Sequence, residues 1–208
     1  VIAADSNYQM DEVVVEGERD KWGVTPQPLS GGYVYDTATQ GFLGSKSVMD
    51  IPNQQISLTQ KTIKDFAIPG REVDSVVIMD PAVRETGNEM SDIMIRGVGQ
   101  NGYAFRINGI PGMLIQNNMT PTSFADHIDI TAGPGMGTRG SASRSGSPGG
   151  VVDIISKVAP KDHNVLNYTQ TFSGSGSFRE RVDASTRFGE NNTWGGRVNG
   201  ALQDGEQV

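Results

Sequence analysis

Cysteine is absent from the 208 residues, which removes disulfides, thiolate metal sites and a cysteine nucleophile together and leaves the redox compartment open. Long apolar runs are missing too. None exceeds four residues, as in Val76-Val77-Ile78-Met79, so a membrane-spanning helix of about 20 apolar residues is excluded. A β-barrel wall escapes that test, because its strands alternate rather than run. Basic residues are outnumbered, 17 against 24 acids, for a net charge of −7. Nucleic-acid binding led by a basic surface is therefore not expected. The opening Val1-Ile2-Ala3-Ala4-Asp5 has neither the basic stretch nor the apolar segment of a secretory signal, which is expected to be absent or already removed.

What is abundant is turn chemistry. Gly (27) and Pro (10) taken together lie above ordinary usage and below the level of low-complexity disorder, which points to a turn-rich folded chain. The length suits one domain with a core, or one domain plus part of another.

Residues 1–8 and 16–47 are polar, interrupted by Pro26, Pro28, Gly31 and Gly32, and lack sustained periodicity, so they are expected to be irregular or mobile. Between them lies Glu12-Val13-Val14-Val15-Glu16. This β-branched run reads either as an ordinary strand or as an extended peptide in a flexible arm that a partner adds to its sheet edge. A compact domain is expected from Ile51: a strand at Ile56 and Leu58, a short helix capped by Thr59, and helical spacing of Val73, Val76 and Val77 closed by Pro81. Met94-Ile95-Arg96 leads into Gly97, Gly99 and Gly102. An alternating run at 103–107 follows, bounded by the hairpin-favouring pairs Asn101-Gly102 and Asn108-Gly109. Strands are expected at 128–131 and 151–155, on either side of the glycine-dense stretch 133–150.

The last 48 residues alternate. Tyr168, Phe172, Val182, Ala184, Thr186, Phe188, Trp194, Val198 and Leu202 take one set of positions, while Arg181, Asp183, Ser185, Arg187, Arg197, Asn199 and Gln203 take the other. Three such segments match barrel strands with a lipid face and a wet face, or equally a half-buried soluble sheet. Three strands cannot close a barrel, so the barrel reading implies a truncated one.

Several catalytic and binding motifs fail. Gly97-Val98-Gly99-Gln100-Asn101-Gly102 and Gly135-Met136-Gly137-Thr138-Arg139-Gly140 have dinucleotide-fingerprint spacing, but neither opens the helix that must face a pyrophosphate. His127 and His163 have no second ligand at metal spacing, and Asp126 with Asp129 reads as a solvated loop end rather than an acid–base pair.

The order of the segments carries more. Asp11-Glu12-Val13-Val14-Val15 resembles a TonB box, and Asp50-Ile51-Pro52-Asn53-Gln54-Gln55-Ile56-Ser57-Leu58-Thr59 resembles the opening strand of a plug domain. Ile95-Arg96-Gly97 resembles that domain's Arg-Gly motif, and Arg106-Ile107-Asn108-Gly109-Ile110-Pro111-Gly112 its hairpin. Ile128-Asp129-Ile130 with Gly133-Pro134, then Gly146-Ser147-Pro148-Gly149-Gly150-Val151-Val152-Asp153-Ile154-Ile155-Ser156-Lys157, resembles its closing signature. In this order the chain resembles a TonB-dependent outer-membrane receptor of the siderophore type, from its N-terminal arm into the first barrel strands.

That resemblance implies an α+β plug domain, a small mixed sheet with short helices, followed by truncated transmembrane antiparallel β-barrel strands. The implied domains are an arm at 1–50 with the box at about 11–16, a plug at 51–160 and the start of a barrel at 161–208. The implied function is ferric-siderophore uptake by a receptor, not an enzyme, in the outer membrane of a Gram-negative bacterium. The arm would lie in the periplasm and the plug inside the barrel. The partners would be the TonB C-terminal domain at Glu12, Val13, Val14 and Val15, a ferric siderophore or similar bulky ligand at Gln100, Asn101, Tyr103, Gln116 and Asn117, and outer-membrane lipid. No nucleic acid, cofactor or resident metal is implied. Arg96 would contact the barrel. His127 and Ala132 stand where the family often carries basic residues, so Arg96 alone remains of the plug arginines expected to meet barrel glutamates. The alternatives are a periplasmic plug-like binding or signalling module without transport, or a receptor for haem, cobalamin or a glycan.

Overall fold

The computed structural model describes residues 26–39, 44–68, 72–85, 93–100, 105–111, 121–133, 149–172 and 178–204. Its centre is a mixed five-stranded sheet in the order β3-β9-β10-β7-β8. The strands are β3 (Gln54–Leu58), β7 (Phe105–Ile107), β8 (Ile110–Pro111), β9 (Ala125–Ala132) and β10 (Gly150–Ser156). β10 runs parallel to β7, and the other pairs are antiparallel.

Register makes one face apolar. Ile56, Ile130, Val152 and Phe105 form one row across the strands and Leu58, Ile128, Ile154 and Ile107 the next. Helices α1 (Gln60–Phe66) and α2 (Glu72–Val77) supply Ile63, Val73, Val76 and Val77 to the same core. Thr59 caps α1 as expected, its hydroxyl accepting from the Thr62 N–H at 3.3 Å. The side sheet β4 (Val83–Glu85), β5 (Ile93–Ile95) and β6 (Val98–Gln100) closes the core with Val83, Ile93 and Ile95. Gly150 sits where these layers meet: a Cβ there would lie 2.3 Å from the Thr131 carbonyl oxygen and 2.9 Å from Ile95. The other face of the central sheet is polar yet buried, with Ser57, Asp129, Asp153 and Arg106 in one cross-strand row, each no more than 2% exposed.

Two hairpins turn on residues at positive φ. Asn108 (50°) and Gly109 (80°) join β7 to β8, as the Asn-Gly pair predicted. Arg96 (50°) and Gly97 (79°) join β5 to β6, a turn not expected from an Arg-Gly pair.

The expectation of irregular chain up to residue 47 is corrected for the described part of the arm. There β1 (Thr37–Thr39) pairs with β2 (Ser45–Ser47), a 3-10 turn covers Val48–Asp50, and Tyr35 N–H donates to the Ser57 carbonyl at 2.9 Å. Thr59 Oγ1 donates to the Gly32 carbonyl at 2.7 Å, so this stretch is stitched to the edge of β3. The strands are three residues long, too short to leave a period in the sequence.

The C-terminal sheet stands apart in character. β11 (Val165–Phe172), β12 (Phe178–Phe188) and β13 (Trp194–Asp204) form an antiparallel meander in sequence order. Its three strands do not close on themselves. Leu166, Tyr168, Phe172, Phe188, Trp194, Val198 and Leu202 are exposed on one face, while Arg179, Asp183 and Ser185 are buried on the other.

Candidate functional site

The buried face of the C-terminal sheet meets the N-terminal domain through charged side chains. Glu72 opens α2, and its carboxylate is 8% exposed. Oε2 accepts from the Thr122 N–H at 2.8 Å, from Thr122 Oγ1 at 2.5 Å and from the Arg181 guanidinium at 2.9 Å, while Oε1 lies 2.8 Å from Arg179. Arg179 also donates to Gln203 Oε1 at 2.7 Å, so it links β13 to the same carboxylate. Four donors satisfy this buried carboxylate, so its burial does not strand its lone pairs.

The second cluster has the opposite arrangement, with the acid on the strand. Asp183 of β12 accepts from Lys157 Nζ at 3.0 Å and from Arg197 Nε and a terminal guanidinium nitrogen at 2.8 and 2.7 Å. Lys157 also donates to the Ser123 carbonyl at 2.9 Å, and Arg197 to the Val158 carbonyl at 2.6 Å. Asn199, with its amide nitrogen turned toward the two oxygens, reaches Asp183 and the Ser123 carbonyl at 3.0 and 3.2 Å. Burial pulls the Lys157 ammonium below its ordinary pKa, and the nearby Arg197 works the same way, so the Asp183 bond offsets the shift only in part. Arg187 completes the seam by donating to the Ala159 and Pro160 carbonyls at 2.8 Å each.

Arg96 lies elsewhere. Its position at a hairpin tip exposes it. Its guanidinium donates to Gln54 Oε1 at 2.7 Å, and none of its hydrogen bonds or ion pairs reaches the described strands β11–β13. With Gln54, Arg84 and Met94 it lines an open depression of about 580 Å³. Gln100 ends β6, paired with Ile93. Asn101, Tyr103, Gln116 and Asn117, and the arm residues Glu12, Val13, Val14 and Val15, lie outside the described residues. Gly97 and Gly99 belong to a hairpin and not to a strand–helix junction, which agrees with rejecting the dinucleotide reading.

His127 is held between acids, with Nδ1 2.9 Å from Asp126 and Nε2 3.9 Å from Asp129, and its ring meets Tyr35 edge-on at 5.6 Å. Burial works against the charged ring, but the Asp126 hydrogen bond and the charges of Asp129, Asp126 and Asp153 outweigh it and raise the pKa. Among the described residues no group of three or more acidic or imidazole side chains is arranged to hold a metal.

The sequence alternation placed Arg181, Asp183 and Arg197 on the polar face. It left unsignalled that Glu72, 109 residues before Arg181, is the counterpart of Arg181 and Arg179. Neither did it single out Lys157 as a contact.

A mixed sheet with two short helices, sealed by ion pairs to the wet side of an open antiparallel meander, is the architecture of a receptor plug lying against a barrel wall. The chain belongs to the TonB-dependent receptor plug domain family, whose family model matches residues 47–151. It is 30% identical to the ferric preacinetobactin receptor BauA of Acinetobacter baumannii, with a TM-score of 0.78 over 86% of this chain and 27% of that one. It is 25% identical to the ferrichrome receptor FcuA of Yersinia enterocolitica over 99% of this chain and 27% of that protein. The alcaligin outer-membrane receptor FauA of Bordetella pertussis shares the fold, with a TM-score of 0.68 at 17% identity over 84% of this chain and 30% of that one. The chain thus spans about a quarter of the length of these relatives. The family is one of receptors, not enzymes.

Proposed function

We propose that this chain is the plug and opening wall of a TonB-dependent outer-membrane receptor that takes up a ferric siderophore. The observation that carries the reading is the division of β11–β13 into a charged face pinned to the plug and an exposed face of Leu166, Trp194, Val198 and Leu202. Strands of 11 residues reach across a bilayer when tilted. A periplasmic module without transport has no use for such a face. The siderophore assignment draws on the likeness to receptors for ferric preacinetobactin and ferrichrome. In the proposed division the arm covers 1–50, the plug 51–160 and the wall begins at 161. The plug occludes the barrel, and the arm reaches the periplasm of a Gram-negative cell.

Glu12, Val13, Val14 and Val15 are the proposed docking strand for the TonB C-terminal domain, since backbone hydrogen bonds suit a β-branched run for strand addition. Gln100, Asn101, Tyr103, Gln116 and Asn117 are the proposed ligand contacts, offering amides and one aromatic ring to a chelate. Arg96 remains the proposed contact for wall strands beyond β13. Calorimetric titration with a TonB C-terminal domain tests the coupling half. Binding by the chain is expected, with loss in Val14→Pro, whose ring removes a ladder donor. Unchanged affinity in the variant would remove the docking strand from this account.

A further inference from the structure

The pairing of β9 with β10 slips near its end. His127 faces Ile155 and Ala125 faces Ser156, which leaves Asp126 as the extra residue of a bulge. A bulge re-aims a side chain, and this one brings the Asp126 carboxylate to 2.9 Å from Nδ1 of its own neighbour His127. The other ring nitrogen, Nε2, lies 3.9 Å from the buried Asp129. The ring thus faces a carboxylate at each nitrogen, is only 12% exposed, and meets Tyr35 of the arm edge-on.

Two features favour the charged form of this ring. The polar row beside it, Asp129, Asp153 and Arg106, carries two carboxylates and one guanidinium. An imidazolium balances the negative charge left in that row, where burial penalises an uncompensated one. A neutral ring has a single N–H, so one of its nitrogens would turn a lone pair toward a carboxylate. Burial works against the charge, yet the Asp126 hydrogen bond and the charges of Asp129, Asp126 and Asp153 raise the His127 pKa. The charge of Asp126 also acts on Arg197 of β13. Tyr35, whose phenol is pushed up by burial and by Asp126, stays neutral wherever His127 titrates.

Tyr35 is also where the arm meets the sheet. Two residues upstream, Tyr33 belongs to α1: Lys61 Nζ lies 3.3 Å from the centre of its ring, and the Phe66 ring is 5.8 Å away. The Tyr35 N–H donates to the Ser57 carbonyl at the edge of β3, and its side chain reaches across β3 to His127 on β9. Backbone and side chain therefore fasten the same arm residue to two neighbouring strands.

We propose that His127 is a pH-sensitive clasp on the arm: with its ring charged it holds Tyr35, and through Tyr35 the pairing of the arm with β3, and loss of the ring proton releases them. Deprotonation sets a nitrogen lone pair against Asp126 or Asp129, the ring gives way, and Tyr35 loses the surface on which it packs. Protonation and docking favour each other, so docking is at full strength below about pH 6.5, the ordinary value for histidine, and weakens as pH rises through the folded pKa. The clasp stands on the geometry of the plug. Its use rests on the proposed function, since residues 27–36 follow the proposed docking strand Glu12 to Val15, and on that reading the clasp sets how much chain is free between partner and plug.

The 208-residue chain in detergent gives two readouts. Nuclear magnetic resonance follows the His127 ring, with the exposed His163 as reference. Amide exchange compares Tyr35 with β9 and β10, each corrected for the intrinsic effect of pH. Between about pH 5.5 and 8.5 the protection of Tyr35 is expected to fall, by about tenfold for each unit by which docking raises the His127 pKa, while β9 and β10 stay within about threefold. The midpoint of that fall should match the His127 titration. Asp126→Asn takes one carboxylate from the ring and should move both midpoints to lower pH together, and His127→Gln should leave Tyr35 weakly protected at every pH. Protection of Tyr35 that does not change with pH, or a midpoint that stays in place in Asp126→Asn, would overturn the clasp. So would a parallel loss of protection in β9 and β10, because pH would then act on the whole plug and not on the arm. Neither readout involves TonB or a siderophore, so failure of the clasp and failure of the transport reading are distinguishable.

Discussion

The plug and the wall solve opposite problems with the same secondary structure. In the central sheet, Ile56, Ile128, Ile130, Val152 and Ile154 point into a dry core closed by two helices. In β11–β13 the polarity is reversed relative to a water-soluble sheet: Arg179 is 2% exposed while Leu202 is 72% exposed. Burying a guanidinium and exposing a leucine is costly in water, and it becomes reasonable when the inner neighbour is a charged plug and the outer neighbour is lipid. Strand propensity alone does not say which face is inside. The chemistry of the neighbour does.

The largest effects should come from the plug's core. Ile130→Ala removes a fully buried side chain at the centre of the sheet, and a loss of about 2–5 kcal/mol in plug stability is expected from denaturant titration. Gly150→Ala belongs beside it, because the new Cβ would meet the Thr131 carbonyl oxygen and Ile95. A destabilisation of about 2–4 kcal/mol is expected, since overpacking must be relieved by shifting β9 or β5. If either variant melts like the parent, the core is not where stability resides, and the contrast with the wall collapses.

A smaller effect sharpens the junction between the arm and the core. Thr59→Ala removes both the cap of α1 and the bond to the Gly32 carbonyl, for an expected cost of about 1–2 kcal/mol. Exchange should quicken in α1 and at Tyr35, whose N–H pairs with Ser57, and not in β12.

Titration gives a gentler probe still. The folded-state pKa of His127 is raised, since its acidic neighbours outweigh burial. The stability it contributes is therefore fully present below about pH 6.5, its ordinary value, and is lost as pH rises through the folded pKa. Melting temperature measured across this range should fall with rising pH, and His127→Gln should remove that dependence. A dependence of the opposite sign would mean the ring is held neutral.

These same residues show how far sequence reading reaches. Thr59 ahead of Lys61 and Ile63, and Asn108-Gly109 between two apolar runs, announce their structures because capping and tight turns are local. The alternation of β12 and β13 announces two faces for the same reason, and the order of weak motifs pointed to a plug. Arg96-Gly97 escapes, since an arginine at positive φ is held by the hairpin around it, not by its own preference. The three-residue strands β1 and β2 escape because pairing with each other, and the hold of their neighbours on β3, supplies what their sequence lacks. The Glu72 cluster escapes for a different reason. Glu72, Thr122 and the Arg179–Arg181 pair lie far apart in the chain, and each by itself is an ordinary polar or charged residue on a helix, a turn or a strand.

The smallest effect on stability should be at the outer face, and it leads to the central claim. Leu202→Ala should change the plug's melting by less than about 0.5 kcal/mol, because the side chain touches no core. What it touches can be read directly from Trp194, 66% exposed on the same sheet and one of two tryptophans in the chain. In a Trp22→Phe background reconstituted into phospholipid vesicles, Trp194 fluorescence can be challenged by lipids brominated on their acyl chains and by iodide in the water. The account predicts strong quenching by the brominated lipid and weak quenching by iodide. Quenching by iodide with no response to brominated lipid would place the apolar face of β11–β13 in water and contradict the reading of these strands as a membrane wall.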